Sequence, residues 1–213
     1  MTSLSETQQK EQKSNIKLIV LAVVGLAIGV LLAFLLLSWL RPYSYHGMEI
    51  TAETPVTNFE LTGPGGESVR LIDFRDKVVL IYFGYTFCPD VCPATMVELN
   101  NALELLGNKA DDVQVLMITL DPERDTYEQL ESYVTHFNPT FMGLTGTEEE
   151  LLTVTSPLGI FYEKHEGTPQ TGYLIDHTAT VAALDRNGRM RLIYPFGTTG
   201  EEIAEDMKHL LRD

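Results

Sequence analysis

The 213-residue sequence predicts an α/β domain, a sheet sandwiched between helices, carried behind one membrane-spanning helix. Three observations lead there. A twenty-residue apolar run stands near the N-terminus. Two short, predominantly apolar strand patterns are each followed by helical patterns, as in a parallel sheet with helical crossovers. An Asn187-Gly188 turn between two further strands then marks an antiparallel hairpin ahead of the last helix.

The elements follow in chain order. Residues 1–15 are polar and read as a cytoplasmic tail. Leu18 to Leu37 contains no charged, amide or hydroxyl side chain. At ~1.5 Å per residue such a run reaches about 30 Å, the thickness of a bilayer's hydrocarbon core. A transmembrane anchor is therefore expected over 16–40. Lys10, Lys13 and Lys17 precede it and only Arg41 follows closely, which places the N-terminus in the cytoplasm. Trp39, Tyr43 and Tyr45 suit an outer aromatic belt. The exit SWLRPYSYHG offers no small-x-small cleavage site, so the anchor is read as uncleaved. The N-terminus also lacks the Arg- and Ser-rich character of a mitochondrial transit peptide. A single-pass protein of a bacterial inner membrane, with its C-terminal domain in the periplasm, is the simpler expectation.

Residues 41–55 read as a tether and 56–213 as the folded domain. Thirty acidic and fifteen basic side chains give the chain a net charge of −15. Two acidic and four basic ones lie in 1–42, so 43–213 carries twenty-eight against eleven, a net of −17. That acidity argues against a nucleic-acid partner, because it repels phosphate backbones.

Within the domain, 58–61 and 68–71 flank Gly63-Pro64-Gly65-Gly66 and predict a β-hairpin. Lys77–Phe83 and Val113–Leu120 are strands covered on both faces. Between them a helix runs to Leu106, with Met96, Leu99, Leu103 and Leu106 as its apolar stripe and Gly107 as its cap. A helix over about 126–137 is opened by Asp125 or Thr126 and stopped by Asn138-Pro139. Thr147-x-x-Glu150 is a capping box for another. Residues 163–173 read as a polar loop, 178–184 and 189–194 as the hairpin strands, and 200–211 as the last helix.

Catalytic and binding groups in such folds collect at the carboxyl ends of the central strands. Both cysteines, Cys88 and Cys92, lie in the loop after the first of them. Four residues apart at a helix start, their sulfurs can meet at one spot, either as a disulfide or as two donors to one metal ion. The helix N-terminus favours thiolates, the form that attacks disulfides and binds metals. Asp90 between them works against ionisation. A structural bridge across so short a loop constrains the unfolded chain little. Dithiol oxidoreductases more often space their cysteines by two residues rather than three. Two thiolates suit Cu(I), with Zn(II) as the other candidate, and a third ligand is expected. Five histidines compete for that place. His46 is in the tether, His136 at a helix end, His165 in the acidic loop and His209 on the last helix, while His177 stands just before a strand. Spacing alone does not choose among them. Asp176 is placed to orient the ring of His177.

The segments Gly84-Tyr85-Thr86-Phe87-Cys88-Pro89-Asp90-Val91-Cys92-Pro93, Asp121-Pro122-Glu123-Arg124-Asp125-Thr126 and Tyr173-Leu174-Ile175-Asp176-His177-Thr178 together resemble the Sco/SenC family. These are membrane-anchored, thioredoxin-like proteins of cytochrome c oxidase assembly. The resemblance implies a thioredoxin-like three-layer fold with an N-terminal β-hairpin extension. It also implies a copper site of Cys88, Cys92 and His177 holding Cu(I), and Cu(II) with a further ligand, with Asp90 and Asp176 as outer partners. Cys88 and Cys92 would form a redox disulfide that gates loading. Thioredoxin itself carries a cis-proline in the His177 loop, and Pro169 is too far from Thr178 to be its equivalent. The implied partners are a periplasmic copper donor, a thiol reductant and the copper-receiving oxidase subunit, and the role is that of a metallochaperone rather than an enzyme. Two alternatives remain. One is a thiol-disulfide reductase that keeps the oxidase subunit's cysteines reduced, and the other is a redox sensor. Asp121 to Thr126 are expected to be structural, and Met96, Met117 and Met142 to pack in the core.

Overall fold

The computed structural model describes residues 21–37, 43–168 and 172–212. The expected cytoplasmic tail, both ends of the expected anchor, Trp39, Arg41 and Pro169 lie outside the described residues. Two compact units are present, one before Tyr45 and one from Tyr45 onward. In the first, residues 21–37 form a helix, α1, with every residue exposed. Among the described residues no helix is long and apolar enough to cross a membrane.

The second unit is built on a six-stranded sheet. Its strands are β1 (Met48–Glu49), β4 (Val78–Gly84), β5 (Val113–Thr119), β6 (Met142–Leu144), β9 (Thr180–Leu184) and β10 (Met190–Pro195), in the spatial order β1-β10-β9-β4-β5-β6. β4, β5 and β6 are parallel, while β9 and β10 run antiparallel to their neighbours. Every residue of β4 and β5 is buried, as their predominantly apolar runs require for strands covered on both faces. Alternate side chains of β4 serve two cores. Val78, Leu80 and Tyr82 pack with α2 (Val91–Leu106) and α5 (Gly200–Leu210). Val79, Ile81 and Phe83 pack with α4 (Glu148–Thr155) and the hairpin of β2 (Glu60–Thr62) and β3 (Ser68–Arg70). α3 (Tyr127–Phe137) lies against β6. This is the expected three-layer arrangement with an N-terminal hairpin.

The helix signals hold in detail. Met96, Leu99, Leu103 and Leu106 are buried on α2, and Gly107 adopts a positive φ of 56° at its end. Thr126, Thr147 and Thr199 each cap a helix, reciprocated by Gln129, Glu150 and Glu202. Met96 and Met117 are core residues and Met142 is partly buried.

Three differences matter. The expected polar loop 163–173 is in part strand, because β7 (Tyr162–Glu166) pairs antiparallel with β8 (Tyr173–His177). Four of the five β7 residues are exposed, so no apolar period betrays the strand. His177 consequently closes β8 instead of standing ahead of a strand that begins at Thr178. β6 is three residues long, too short for a period to show. Finally, Met48–Glu49, inside the expected tether, pair with Leu192 and Ile193 at the sheet edge.

Candidate metal centre

Cys88 sits in the loop leaving β4, and Cys92 in the first turn of α2. Both are free thiols, Cys88 half-buried and Cys92 fully buried. Parallel pairing with β5 continues to the end of β4, where Leu120 donates its N–H to the Gly84 carbonyl at 2.8 Å. The chain then turns sharply into the dithiol loop. Gly84 is required by close approach, since a Cβ there would lie 2.9 Å from Cys92 Sγ and 2.8 Å from the Tyr82 ring.

The two sulfurs differ in environment. Cys88 Sγ accepts the backbone N–H of Cys92 at 3.4 Å, the donation expected from a helix N-terminus. The Cys92 thiol also donates to it, and with the backbone N–H groups of Asp90 and Cys92 this outweighs burial and draws the Cys88 thiol down to about 4. Cys92 is pushed far up, because donating to Cys88 requires it to keep its proton and burial disfavours its charge. The pair thus gives up its first proton from the accessible sulfur and holds the second inside. The Tyr82 hydroxyl is buried near Cys92 without a hydrogen bond of ordinary geometry, and burial raises its ionisation above the usual phenol range.

His177 reaches this place from across eighty-five positions of sequence, its Nε2 3.8 Å from Cys92 Sγ. The ring is bracketed edge-on by Tyr82 and Tyr85, with centroids 6.3 and 6.2 Å away. Its Nδ1 lies 3.1 Å from the Thr178 carbonyl. A carbonyl only accepts, so Nδ1 carries the proton and Nε2 presents its lone pair to the sulfurs. Among the described residues no group of three or more His, Cys, Asp and Glu side chains is already spaced to enclose a metal ion. The donors nevertheless suit a soft ion: two sulfurs at one helix start and one imidazole nitrogen with a fixed tautomer.

The two expected outer partners act differently from the sequence reading. Asp176 does not orient His177. Adjacent strand residues face opposite ways, and the Asp176 carboxylate, 82% exposed, meets His165 at 3.3 Å. The outer partner of the ring is the Thr178 carbonyl. Asp90 is exposed and its side chain makes no capping bond; what it offers Cys88 is its backbone N–H. His46 lies beside Glu205, His136 and His209 occupy last turns of α3 and α5, and His165 pairs with Asp176.

The Asp121–Thr126 segment carries more than a turn. Thr126 caps α3, while Asp125 turns inward, fully buried. Asp125 accepts the Thr86 N–H at 3.0 Å, the Thr86 hydroxyl at 2.5 Å and the Thr119 hydroxyl at 2.7 Å, fastening the dithiol loop to the end of β5. Burial raises its carboxyl above the ordinary range against the pull of these donors. The equally buried Asp121 pairs with Arg124 and accepts the Tyr173 hydroxyl at 2.5 Å. In the sequence, three carboxylates and an arginine within five residues at a strand end were the available signal.

Comparison with known proteins places the fold and the family. The chain is 34% identical over 204 residues to an SCO2-like protein of Rickettsia felis, covering 93% of this chain and 98% of that protein. Copper-bound ScoI of Bradyrhizobium japonicum superposes with a TM-score of 0.67 at 36% identity, covering 74% of this chain and 99% of the other. Apo Sco1 of Thermus thermophilus gives 0.66 at 37% identity, covering 80% and 95%. The fold is therefore the thioredoxin-like fold of the Sco structures. With the SCO1/SenC family model matching residues 48–212, the chain belongs to the SCO1/SenC family.

Proposed function

We propose that this protein is a copper metallochaperone, in which Cys88, Cys92 and His177 hold copper as cargo and pass it to the copper-receiving subunit of cytochrome c oxidase during assembly. Sco-family proteins are tied to copper handling for that enzyme. The observation that carries the reading is the aim of His177, with Nδ1 occupied by the Thr178 carbonyl and Nε2 turned to Cys92. Loading Cu(I) onto the reduced pair displaces the proton that Cys92 holds, while Cys88 is already ionised at neutral pH. Delivery is ligand exchange without electron transfer. Thiolates of the acceptor replace the sulfurs of Cys88 and Cys92 stepwise, and each released sulfur is free to take up a proton. Oxidation of the pair to a disulfide, giving two electrons to an oxidant, removes both sulfur donors, and a thiol reductant restores them.

The helical, wholly exposed apolar segment 21–37 supports the anchor proposed for 16–40. Anchored there with the N-terminus in the cytoplasm, the domain would work on the periplasmic side of a bacterial inner membrane and receive its copper from a donor in that compartment.

The test is the Cu(I) affinity of the reduced full chain in detergent, competed against a chromophoric chelator, for wild type and His177→Ala. One-to-one binding that weakens about tenfold or more in the variant is expected. Absence of competitive binding by the wild type would end the copper reading.

A second reading is favoured by the asymmetry of the thiols. An accessible, ionised Cys88 beside a protonated, buried Cys92 is the arrangement of an attacking and a resolving thiol. A reductase acting on the oxidase subunit's cysteines would need both thiols but not His177, so equal reductase rates in wild type and His177→Ala would separate the two roles.

A further inference from the structure

β8 lies across the dithiol loop and touches it at alternate residues. Tyr173, Ile175 and His177 share one face, as strand periodicity requires. His177 meets Cys92, and the Ile175 N–H donates to the Tyr85 hydroxyl at 3.2 Å. At the Tyr173 end the connection is made by a residue from neither segment. The Arg124 guanidinium lies 3.6 Å from the centroid of the Tyr173 ring and 4.8 Å from that of Phe87, the neighbour of Cys88. It donates to the Tyr173 carbonyl at 3.1 Å and pairs with buried Asp121, which also accepts the Tyr173 hydroxyl.

We propose that Arg124 is a positioning residue that clamps β8 to the dithiol loop and thereby sets the approach of His177 to Cys88 and Cys92. This rests on those three residues being the copper ligands. Arginine suits the task because its planar fork stacks on aromatic rings while donating in its own plane to a carboxylate and a carbonyl. A flat cation between Phe87 and Tyr173 fixes one end of β8, and the Tyr85 bond fixes its middle. The imidazole at the far end then has little freedom to swing away from the sulfurs. The histidine donor is therefore prepared before copper arrives.

The experiment is a double-mutant cycle on Cu(I) affinity in the reduced full chain, with Arg124→Met and His177→Ala singly and together. If Arg124 acts through His177, Arg124→Met weakens binding about tenfold in the wild-type background, the scale of outer-partner effects on metal affinity. In the His177→Ala background it then costs about twofold or less. Equal losses in both backgrounds would overturn the clamp. Arg124→Lys keeps the charge without the fork, so recovery of full affinity by that variant would overturn it too. Removing Arg124 alone leaves the Asp121 carboxylate buried and unpaired. The Asp121→Asn/Arg124→Met pair is therefore measured alongside, with the same expectation.

A readout without copper separates this proposal from the copper reading itself. In the apo variants, amide hydrogen exchange of 173–177 should accelerate while that of α5 and β10 stays as in wild type. Unchanged exchange in β8 would overturn the clamp even if copper binds. Faster exchange in β8, with no Cu(I) bound by the wild type, would uphold the clamp and remove the ligand assignment.

Discussion

Asp125 and Asp206 are both fully buried carboxylates that gather donors from distant segments, yet they fasten different things. Asp125 holds Thr86 and Thr119, which are the dithiol loop and the end of β5. Asp206, on α5, accepts the backbone N–H groups of His46 and Gly47 and the hydroxyl of Tyr194, which ties the chain just before β1 to the helix. One carboxylate steadies a reactive loop, and the other steadies the point where the chain enters the sheet. A loop that leaves a sheet loses its ladder partners, and a buried carboxylate can replace several of them at once. What separates a structural latch from a functional one is then the residue next to the atoms it holds. For Asp125 that neighbourhood includes Phe87 and Cys88.

The comparison breaks most visibly under truncation. Asp125→Ala and Asp206→Ala should each cost about 3 kcal/mol in urea unfolding, because each leaves several buried or half-buried donors without an acceptor. The two should part company at the cysteines. In wild type and Asp206→Ala, alkylation of Cys88 by iodoacetamide should follow an ionisation near 4 and be flat from pH 6 to 8. In Asp125→Ala the freed loop should move that midpoint up towards the ordinary thiol range. A midpoint equal to wild type would reduce Asp125 to the same kind of latch as Asp206.

A subtler contrast lies in pH dependence. Burial raises the Asp125 carboxyl above the ordinary carboxylate range, so the folded state binds a proton more readily there than the unfolded chain. Stability from this group is greatest below the unfolded value and is lost as pH rises through the folded one. Relative to Asp125→Asn, the wild type should therefore lose stability between acidic pH and neutrality. Urea unfolding of both proteins at several pH values measures the difference, and parallel curves would mean that burial does not govern this carboxyl.

The smallest expected effect compares two helix starts. Thr126 and Thr147 make similar capping boxes, but only Thr126 adjoins Asp125. Each Thr→Ala change should cost about 1 kcal/mol by thermal unfolding. Only Thr126→Ala should alter the Cys88 alkylation rate, and an equal change from Thr147→Ala would detach that rate from the Asp125 loop.

Much of this molecule could be read from local chemistry. The predominantly apolar runs of β4 and β5 read as strands covered on both faces, and three helix starts are written in Thr-x-x-Glu and Thr-x-x-Gln patterns. Asn187-Gly188 specifies a hairpin because glycine accepts the positive φ of 75° found at Gly188. The β7–β8 ribbon was hidden for the opposite reason. β7 reads Tyr-Glu-Lys-His-Glu, and pairing by backbone hydrogen bonds on an exposed surface leaves no apolar signature.

By itself the sequence determined the two sulfurs, their place after the first central strand, and the helix N-terminus that favours a thiolate at Cys88. These depend on neighbours within a few residues, where covalent geometry and helix periodicity suffice. Only the tertiary structure decided which histidine meets them, that the Thr178 carbonyl rather than Asp176 fixes its tautomer, and that Asp125 and Arg124 hold the pieces together. The contacts of Cys92 with His177, Thr86 with Asp125 and Arg124 with Tyr173 span 85, 39 and 49 positions, and no local pattern encodes which distant side chains a sheet and its crossovers will bring within reach.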